Sequence, residues 1–321
     1  GVKYWSIGNE NYGPWEPASR TPEEWPLLVR EAAQLMHAVD SSIKLFAPIQ
    51  VGTVPGLDAD KWAIPTLRLA GYKLHYISIH EYYDALWQNP TASDYLTCMS
   101  WADKPEEHIV KTKEILKKSG NENIRIAFDE WNLRSWHHPN TPSERASAED
   151  IAARDIADDN STYTMADALF SAGFFNACLR HADKVTMANI APIVNTRGPL
   201  FVHPKGIVKR TTFHVMQLYA NELGSQVAPV SVTSTNLPGI AEKVAAVDAI
   251  ATIDPGSNEW KVALLNRHPV SSASISLLLG DKKVDGEVSA IVLSGDSPDA
   301  FNDIDDPNRV SPENITETIQ N

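Results

Sequence analysis

Two stretches of the sequence decide the fold and point to a site: Val2-Lys3-Tyr4-Trp5-Ser6-Ile7-Gly8-Asn9-Glu10 and Ile124-Arg125-Ile126-Ala127-Phe128-Asp129-Glu130-Trp131-Asn132. Each begins as an apolar run of strand length and places a glutamate where the predicted strand ends and a loop begins. In a barrel of alternating strands and helices, the C-terminal ends of the strands carry the chemistry. A glycosidase requires two carboxyl groups at one such rim, one as acid/base and one as nucleophile or base. Glu10 and Glu130 are therefore the first candidate catalytic residues.

Strand and helix signals alternate along the first two-thirds of the chain. Thr21, Pro22 and Glu24 predict a helix start, because Thr and Glu three residues apart form a capping box and Pro suits the first helical turn. The predicted strands are 2–7, 43–51, 74–79, 124–128 and 185–190, and the predicted helices are 21–39, 62–69, 105–119, 164–179 and 208–223, with loops at 134–160 and 199–206. This alternation predicts an α/β architecture with parallel strands that are buried on both faces.

The composition changes after about residue 223. Residues 224–321 are rich in Ser, Thr, Val, Pro and Asp, with predicted strands at 247–253, 260–266, 273–279 and 286–293 and an acidic loop at 297–313. Short strands between turn signals predict a small antiparallel β-sandwich. We therefore expect two domains, 1–223 and 224–321. The chain opens inside a strand pattern and stops without a clear final strand, so we expect a piece of a longer protein with a truncated sandwich.

The composition also limits the class of protein. The chain has 321 residues, 43% of them apolar, which suffices for a large core and two domains. The net charge of −13 disfavours nucleic acid as a partner, whereas neutral sugars impose no charge requirement. Cys98 and Cys178 form no disulfide framework, which mildly favours a reducing compartment. No apolar run approaches the roughly 18 residues typical of a membrane span.

Glu10 has two interpretations, an ordinary surface acid at a strand end or a general acid that protonates a leaving oxygen. The triplet Gly8-Asn9-Glu10 alone favours the first. The loop that follows, Asn11-Tyr12-Gly13-Pro14-Trp15, favours the second, because aromatic rings pack against the C–H faces of sugars. An acid in this role needs partial burial or a second carboxylate nearby to hold its proton at neutral pH.

Glu130 is either an ion-paired acid at a strand end or a nucleophile, and Asp129 competes for that role. Successive side chains of a strand point to opposite faces, so we expect only one of the two to face the barrel axis, and the motif favours Glu130. His80, at the end of the intervening strand, has the position of a hydrogen-bonded structural residue. Tyr82 could orient a carboxylate on a neighbouring strand.

The sequence gives no sign of a metal or cofactor site. His137 and His138 are adjacent rather than spaced for one ligand face, and no helix motif or carboxylate triad completes them. Nucleotide-binding loops and the serine-hydrolase elbow are likewise missing from the sequence. We therefore predict that the chemistry needs no cofactor.

Together these motifs resemble one family, the α-L-arabinofuranosidases of glycoside hydrolase family 51. The resemblance rests on Tyr4-Trp5-Ser6-Ile7-Gly8-Asn9-Glu10, Tyr76-Ile77-Ser78-Ile79-His80-Glu81-Tyr82-Tyr83 and Phe128-Asp129-Glu130-Trp131-Asn132, with His181-Ala182-Asp183-Lys184-Val185 and Ile193-Val194-Asn195 near the last barrel strand. It covers most of residues 1–220 in order and spacing, and is weaker in the β domain. Gly-Asn-Glu alone would mark only the wider clan of retaining glycosidases.

The resemblance implies a partial (β/α)8 TIM barrel, strands four to eight, followed by a C-terminal antiparallel β-sandwich. It implies a retaining double displacement, with Glu10 as acid/base at the end of strand four and Glu130 as nucleophile at the end of strand seven. Asn9 matches the residue that hydrogen-bonds the sugar 2-hydroxyl. Tyr82 matches the residue that contacts the nucleophile and the sugar.

Two positions depart from the family pattern. Arg134 stands where characterised members often have Trp, and Pro192 stands where some have a substrate-contacting Gln. Trp136 is a candidate to replace the missing Trp, and Trp131 is a further candidate sugar contact. The departures concern the side of the site that would hold the leaving group, and leave the two-carboxylate chemistry intact.

The resemblance implies release of terminal arabinofuranose from arabinan, arabinoxylan or their oligosaccharides, a cytoplasmic location and a homo-oligomer, with no nucleic-acid or membrane partner. Residues 1–321 alone are expected to be inactive, because an open barrel exposes strand edges and part of the core. One alternative is an endo-acting β-glucanase or xylanase of the same clan, which would have an open groove. Another is a non-catalytic carbohydrate-binding relative, against which both glutamates and Tyr82 count.

Overall fold

The computed structural model describes residues 1–51, 57–86, 91–135, 159–257 and 259–319. The first five β-strands along the chain are β1 Tyr4–Ser6, β2 Lys44–Pro48, β3 Tyr76–Asp84, β4 Arg125–Arg134 and β5 Val185–Ile190. The α-helices are α1 Glu24–Val39, α2 Ala59–Ala70, α3 Tyr95–Ser100, α4 Lys104–Ser119, α5 Met165–Arg180 and α6 Thr211–Asn221. The alternation predicted from the sequence is confirmed for these elements, and α3 is an addition that the sequence reading missed.

The first five strands form one sheet in chain order, β1-β2-β3-β4-β5. The β1–β2, β2–β3 and β4–β5 pairs are parallel. Because parallel neighbours share a direction, their carboxyl ends meet at one edge of the sheet. The structure thus supports an α/β fold with a parallel sheet, while the numbering of these strands within a closed barrel stays a prediction.

The helix signals in the sequence correspond to real caps. The backbone N–H of Glu24 donates to Thr21 Oγ1 at 3.2 Å, and the Thr21 N–H donates to Glu24 Oε2 at 3.1 Å, which is the reciprocal pattern of a capping box. Helix α4 ends at Gly120, whose φ of 76° places it in the left-handed region. A glycine adopts that conformation without a Cβ clash, so it terminates the helix cleanly.

Strands β3 and β4 run further than the sequence predicted. The prediction ended them at residues 79 and 128, but they continue to Asp84 and Arg134. Polar side chains replace apolar ones where each strand begins to face the site. From the sequence alone, that change predicted the start of a loop. Glu130 therefore lies on a strand, whereas Glu10 follows β1 in a turn, as predicted.

The chain divides into two compact units. The first contains Gly1–Tyr82, Asp103–Asn132 and Ala177–Ala191, and the second contains Tyr83–Ala102, Leu133–Asn176 and Pro192–Asn321. In the first unit, Trp25 and Trp62 stack at 5.7 Å between ring centroids and are almost completely buried. The predicted division into domains 1–223 and 224–321 stays a prediction.

The second unit carries the remaining strands, β6 Leu200–His203, β7 Gly206–Lys209, β8 Gln226–Ala228, β9 Val247–Asp254, β10 Glu259–Asn266, β11 Leu278–Leu279, β12 Lys282–Lys283, β13 Gly286–Leu293 and β14 Pro312–Ile319. They pair as β10-β9-β8, β13-β14, β6-β7 and β11-β12, and the registers are antiparallel. Antiparallel sheets are thus confirmed, while their assembly into a sandwich stays a prediction.

Three details of this unit correct the sequence reading. The predicted loop 199–206 contains β6 and the turn of the β6–β7 hairpin, and the predicted strand 273–279 shrinks to the two residues of β11. A final strand does exist, because β14 pairs with β13 over eight residues. Its alternation of Glu, Asn and Thr with few apolar residues concealed it, since an exposed strand needs little apolar patterning. Among the described helices, none has the length and apolarity needed to cross a membrane.

A buried ion cluster lies in the second unit. Arg134, only 1% exposed, donates to Asp84 through Nη1 and to Asp167 through Nε and Nη2 at 3.1 and 3.2 Å. Its Nη1 also lies 3.2 Å from the sulfur of Cys98. Such a cluster fixes geometry because each charge depends on its partner for the solvation it lost. Arg134, a departure from the family pattern, is thus a buried structural cation in this structure.

Arg134→Met is expected to lower the free energy of unfolding by about 3–5 kcal/mol, because it leaves Asp84 and Asp167 buried without their cation. Urea unfolding followed by circular dichroism measures the loss. Arg309→Met is the matched control, because Arg309 makes an exposed ion pair with Asp296 and should unfold like the wild type. Equal stability of the two variants would refute the structural role of Arg134.

Candidate active site

One face of β3 supplies a row of polar side chains. Ser78, His80 and Tyr82 alternate along the strand and therefore project from the same side. All three contact the acidic pair on β4. Ser78 Oγ donates to Asp129 Oδ1 at 2.8 Å, and Tyr82 Oη donates to Glu130 Oε1 in a short hydrogen bond. The parallel strands thus bring together residues that are about fifty positions apart in the chain.

His80 is the centre of this arrangement. Its Nδ1 lies 2.9 Å from Glu10 Oε1 and 3.3 Å from Glu130 Oε2. Its Nε2 lies 3.1 Å from Ser78 Oγ and 3.5 Å from Asp129 Oδ1. One imidazole therefore contacts three carboxyl groups from two separate segments of the chain, the loop after β1 and strand β4. The sequence reading treated His80 as structural and did not place it among the site residues. Its two-residue spacing from Tyr82 on β3 was the available signal.

Both Asp129 and Glu130 face the β3 row, contrary to the expectation that only one could. The register of β4 against β5 explains this: three steps from Phe128 to Trp131 on β4 match two steps from Ala188 to Ile190 on β5. The extra residue is a β-bulge, which breaks the strict alternation of side chains. Bulges commonly re-aim side chains beside active sites, and this one turns two adjacent carboxylates towards His80.

The charges of this cluster compensate one another. Burial works to lower the pKa of His80, but the hydrogen bonds to Asp129 and Glu10 and the charge of Glu130 outweigh it and raise that pKa to about 10. His80 is therefore a cation at neutral pH. Its side chain is 6% exposed, against 16% for Glu10 and 26% for Glu130, so the carboxylates keep a path to solvent while the cation is enclosed.

Glu10 is held by an unusual turn. Its φ is 41°, in the left-handed region that residues other than glycine seldom adopt, and this follows Gly8 with a φ of 80°. A Cβ on Gly8 would lie 2.0 Å from Asn11 Oδ1, so a glycine is required there. Strained backbone of this kind persists when the surroundings fix it, and it is often found at functional sites.

The loop after β1 has its own hydrogen bonds to the candidate residues. Trp15 Nε1 donates to Glu10 Oε2 at 2.6 Å, and Asn9 Nδ2 donates to Glu16 Oε1 at 3.0 Å. Tyr12 lies beneath them, 8% exposed, with its ring edge-on to Trp15. Burial, followed by the negative charge of Glu10 and its neighbours, raises the pKa of Tyr12 well above its usual value, so the phenol stays protonated.

The structure places the predicted site residues in different surroundings. Glu10, Glu130 and Tyr82 come together around His80, and Asn9 lies in the adjoining loop. Trp131 is completely buried, so its role as a sugar contact stays a prediction without an exposed ring face to support it. Trp136 lies outside the described residues. Pro192 is half-buried, and its effect on the site stays a prediction.

A metal ion is the other chemistry that this cluster could support. One carboxylate oxygen each from Glu10 and Glu130 and a ring nitrogen of His80 lie within 4.8 Å of one another. A histidine binds a metal only when its ligating nitrogen has lost its proton, and the raised pKa of His80 opposes that loss. The donor set therefore fits a metal poorly, and the predicted independence from cofactors stays a prediction.

Glu81 lies on the opposite face of β3, between the two site residues His80 and Tyr82. Burial raises its pKa to about 7; the backbone N–H of Tyr82 opposes the rise, and the charge of Glu10 adds to it. His108 Nδ1 lies 3.9 Å from Glu81 Oε2, but burial lowers the pKa of His108 to about 4. A neutral His108 offers no compensating charge, so ionisation of Glu81 is costly.

We expect the stability that Glu81 contributes to be complete below pH 4.5 and lost as the pH rises through 7, because the folded pKa lies above the value of 4.5 in an unfolded chain. Glu81→Gln removes this titration. Between pH 5 and pH 8 the variant should gain about 2–3 kcal/mol relative to the wild type. Urea unfolding at both pH values measures the difference. Glu31→Gln, at an exposed position of α1, is the control, and an equal response of both variants would contradict the assignment.

Comparison with known proteins shows which family this chain resembles. Residues 129–321 match the family described as the alpha-L-arabinofuranosidase C-terminal domain. The intracellular exo-alpha-(1->5)-L-arabinofuranosidase of Streptomyces lividans is 26% identical over 321 residues, which cover 99% of this chain and 47% of that protein. The intracellular exo-alpha-(1->5)-L-arabinofuranosidase 1 of Bacillus subtilis is 30% identical over 228 residues, which cover 70% of this chain and 44% of that protein. This chain thus spans about half the length of these relatives.

Solved structures give the same result for the fold. The alpha-L-arabinofuranosidase of Thermotoga maritima, in complex with arabinose, superposes with a TM-score of 0.80 at 23% identity, covering 99% of this chain and 62% of that one. The GH51 arabinofuranosidase of Xanthomonas axonopodis pv. citri superposes with a TM-score of 0.81 at 22% identity, covering 100% of this chain and 63% of that one. At these identities the superpositions show the fold alone. The match to more than half of its residues establishes that this chain belongs to the alpha-L-arabinofuranosidase C-terminal domain family.

Proposed function

We propose that the protein carrying this chain is a retaining α-L-arabinofuranosidase, with Glu10 as acid/base and Glu130 as nucleophile. The observation that carries the proposal is the short distance between these two carboxylates. One carboxylate oxygen of Glu10, one of Glu130 and a ring nitrogen of His80 all lie within 4.8 Å of one another. Retaining glycosidases place their carboxyl groups about 5–5.5 Å apart, and inverting ones about 6.5–9.5 Å apart to admit a water molecule. The short separation supports double displacement.

The contacts of each group suit its proposed step. In the first step, an oxygen of Glu130 bonds to the anomeric carbon while Glu10 gives its proton to the departing glycosidic oxygen. In the second step, Glu10 takes a proton from water, whose oxygen attacks the same carbon and releases Glu130. Tyr82 donates to Glu130 and so aims the nucleophile, and Asn9 offers its amide to the sugar 2-hydroxyl.

The substrate class follows from the relatives. Those from Streptomyces lividans and Bacillus subtilis are named exo-alpha-(1->5)-L-arabinofuranosidases, and one from Bifidobacterium longum is named exo-alpha-(1->6)-L-arabinofuranosidase. We therefore infer exo release of terminal arabinofuranose from arabinan, arabinoxylan or their oligosaccharides, with the linkage undecided between these relatives. A cytoplasmic location follows from relatives named as intracellular, and a homo-oligomer is inferred from the family resemblance.

Glu130→Ala in the natural protein that carries this chain is expected to abolish release of arabinose from an aryl α-L-arabinofuranoside, because it removes the carboxylate that forms the covalent intermediate in the proposed mechanism. The assay measures phenol release, with an aryl β-cellobioside as the second substrate. Glu31→Ala is the control for handling and folding. Turnover of the cellobioside alone would move the protein to the endo-glucanase class, and residual arabinosidase activity near wild type would exclude Glu130 as the nucleophile.

The loss of activity in Glu10→Ala should depend on the leaving group of the substrate. With a sugar as leaving group, loss of the general acid is expected to lower kcat/KM by about 10²–10⁴-fold. With dinitrophenol, which departs without a proton, the first step should be almost unaffected, and a burst of phenol should precede slow hydrolysis of the intermediate. Added azide should then restore turnover and give the α-configured arabinosyl azide, because it attacks the covalent intermediate from the face that the leaving group left. Equal losses with both substrates would argue against Glu10 as the acid/base.

A further inference from the structure

Both oxygens of Glu10 accept a hydrogen bond in this structure. Oε1 lies 2.9 Å from His80 Nδ1, and Oε2 lies 2.6 Å from Trp15 Nε1. An indole N–H can only donate, and a protonated imidazole donates from both nitrogens. Both partners therefore present a hydrogen to Glu10. This arrangement suits an ionised carboxylate, which accepts at both oxygens.

That state conflicts with the first step of the proposed mechanism. A general acid carries its proton on an oxygen and directs it towards the glycosidic oxygen. The indole N–H of Trp15 lies 2.6 Å from Oε2 and occupies one of the lone-pair directions of that oxygen. Departure of the indole frees this direction and removes one of the two donors that favour the ionised form, so that Glu10 takes up its acidic proton more readily.

The two donors differ in freedom. The His80 side chain is 6% exposed and is held by Asp129 and Glu130 on β4 as well as by Glu10. Trp15 is 54% exposed, lies on the loop after β1, and packs edge-on against Tyr12 at 6.3 Å. The donor that can move is Trp15.

The loop is nevertheless built for the indole in its present position. A Cβ on Gly13 would lie 2.2 Å from Trp15 Cε2, so only glycine lets the ring lie across the turn. The backbone N–H of Gly13 donates to the carbonyl of Glu10 at 2.7 Å, which closes the turn beneath the ring. The loop thus has the shape that the ring of Trp15 needs in this position.

We propose that Trp15 is a positioning residue with two positions during the catalytic cycle. In one position its indole N–H donates to Glu10 Oε2 and holds Glu10 ionised; in the other, taken when the leaving-group sugar enters, the indole has moved away from Oε2. The inference rests on the proposed role of Glu10 as acid/base. With Trp15 withdrawn, the proton on Oε2 passes to the glycosidic oxygen as the C–O bond breaks. After the leaving group departs, the indole returns and stabilises the carboxylate that must accept a proton from water. Trp15 thus acts through Glu10 in both steps.

The first test is the pH–rate profile of Trp15→Phe in the natural protein that carries this chain. A donor to a carboxylate favours its ionised form, so its removal should move the alkaline limb of kcat/KM for arabinobiose up by about one pH unit or less. The limb for a dinitrophenyl arabinofuranoside, which needs no proton, should stay in place. Trp5→Phe is the matched control, because Trp5 is 46% exposed in the same unit and donates only to a backbone carbonyl.

The second test observes the indole directly by ¹⁵N-tryptophan NMR, with the Trp15 signal assigned by its loss in Trp15→Phe. In Glu130→Ala, which binds without turnover, arabinobiose should move the Trp15 signal upfield to the position of an indole without a carboxylate partner. In Glu10→Gln the signal should start near that position and stop titrating with pH.

The outcomes separate this inference from the proposed function. Two results would overturn the switching role while leaving Glu10 as acid/base. One is normal turnover of Trp15→Phe with an unchanged alkaline limb of kcat/KM, and the other is a Trp15 signal that does not shift when arabinobiose binds. A uniform loss of rate at every pH would reduce Trp15 to a structural part of the loop. If the wild type hydrolysed neither substrate, the proposed function would fail, and a Trp15 signal that titrates identically in Glu10→Gln would independently overturn the contact.

Discussion

The site depends on one buried cation. His80 contacts Glu10, Asp129 and Glu130, and without its charge three carboxylates would repel one another in a partly desolvated space. Burial alone would favour the neutral imidazole, so the raised pKa measures how strongly the acids hold the proton. The ion contacts also fix geometry, because the loop after β1 and strand β4 meet through the same ring.

A departure from regular structure makes this possible. A regular β4 would turn Asp129 and Glu130 to opposite faces, and His80 would then have one carboxylate on that strand in place of two. The bulge places both on one face, so that Asp129 neutralises His80 and Glu130 retains an oxygen for Tyr82. The left-handed backbone at Glu10 has a comparable effect on the other side, since it directs the carboxylate back towards β3. In both places an irregular backbone aims a side chain that a regular element would misplace.

The sequence predicted what depends on local periodicity and capping. The alternation of the first five strands with helices, the capping box at Thr21 and Glu24, and the stop at Gly120 all follow from residues near one another in the chain. It failed where non-local contacts decide: β3 and β4 were ended early because their site-facing residues are polar, and His80 was taken as structural because its partners lie 70 and 50 residues away. The bulge has no signature of its own in Phe128-Asp129-Glu130-Trp131. The two glutamates were found because their motifs are short and specific, whereas Trp131 shows that adjacency to a motif does not give exposure.

The charge balance of the cluster suits the proposed reaction. With all groups ionised, three carboxylates and one imidazolium leave two negative charges, and protonation of Glu10 leaves one. The transition state of glycoside hydrolysis develops positive charge on the sugar, so a site that stays negative in both protonation states stabilises it throughout. A neutral substrate meets no electrostatic barrier to entry. In the proposed mechanism Asp129 does not touch the anomeric carbon, and its contact with His80 takes part of the charge that Glu10 and Glu130 would otherwise share between them. Asp129, the competitor of Glu130 in the sequence analysis, thus fits the proposal as the acid that leaves Glu130 available to attack.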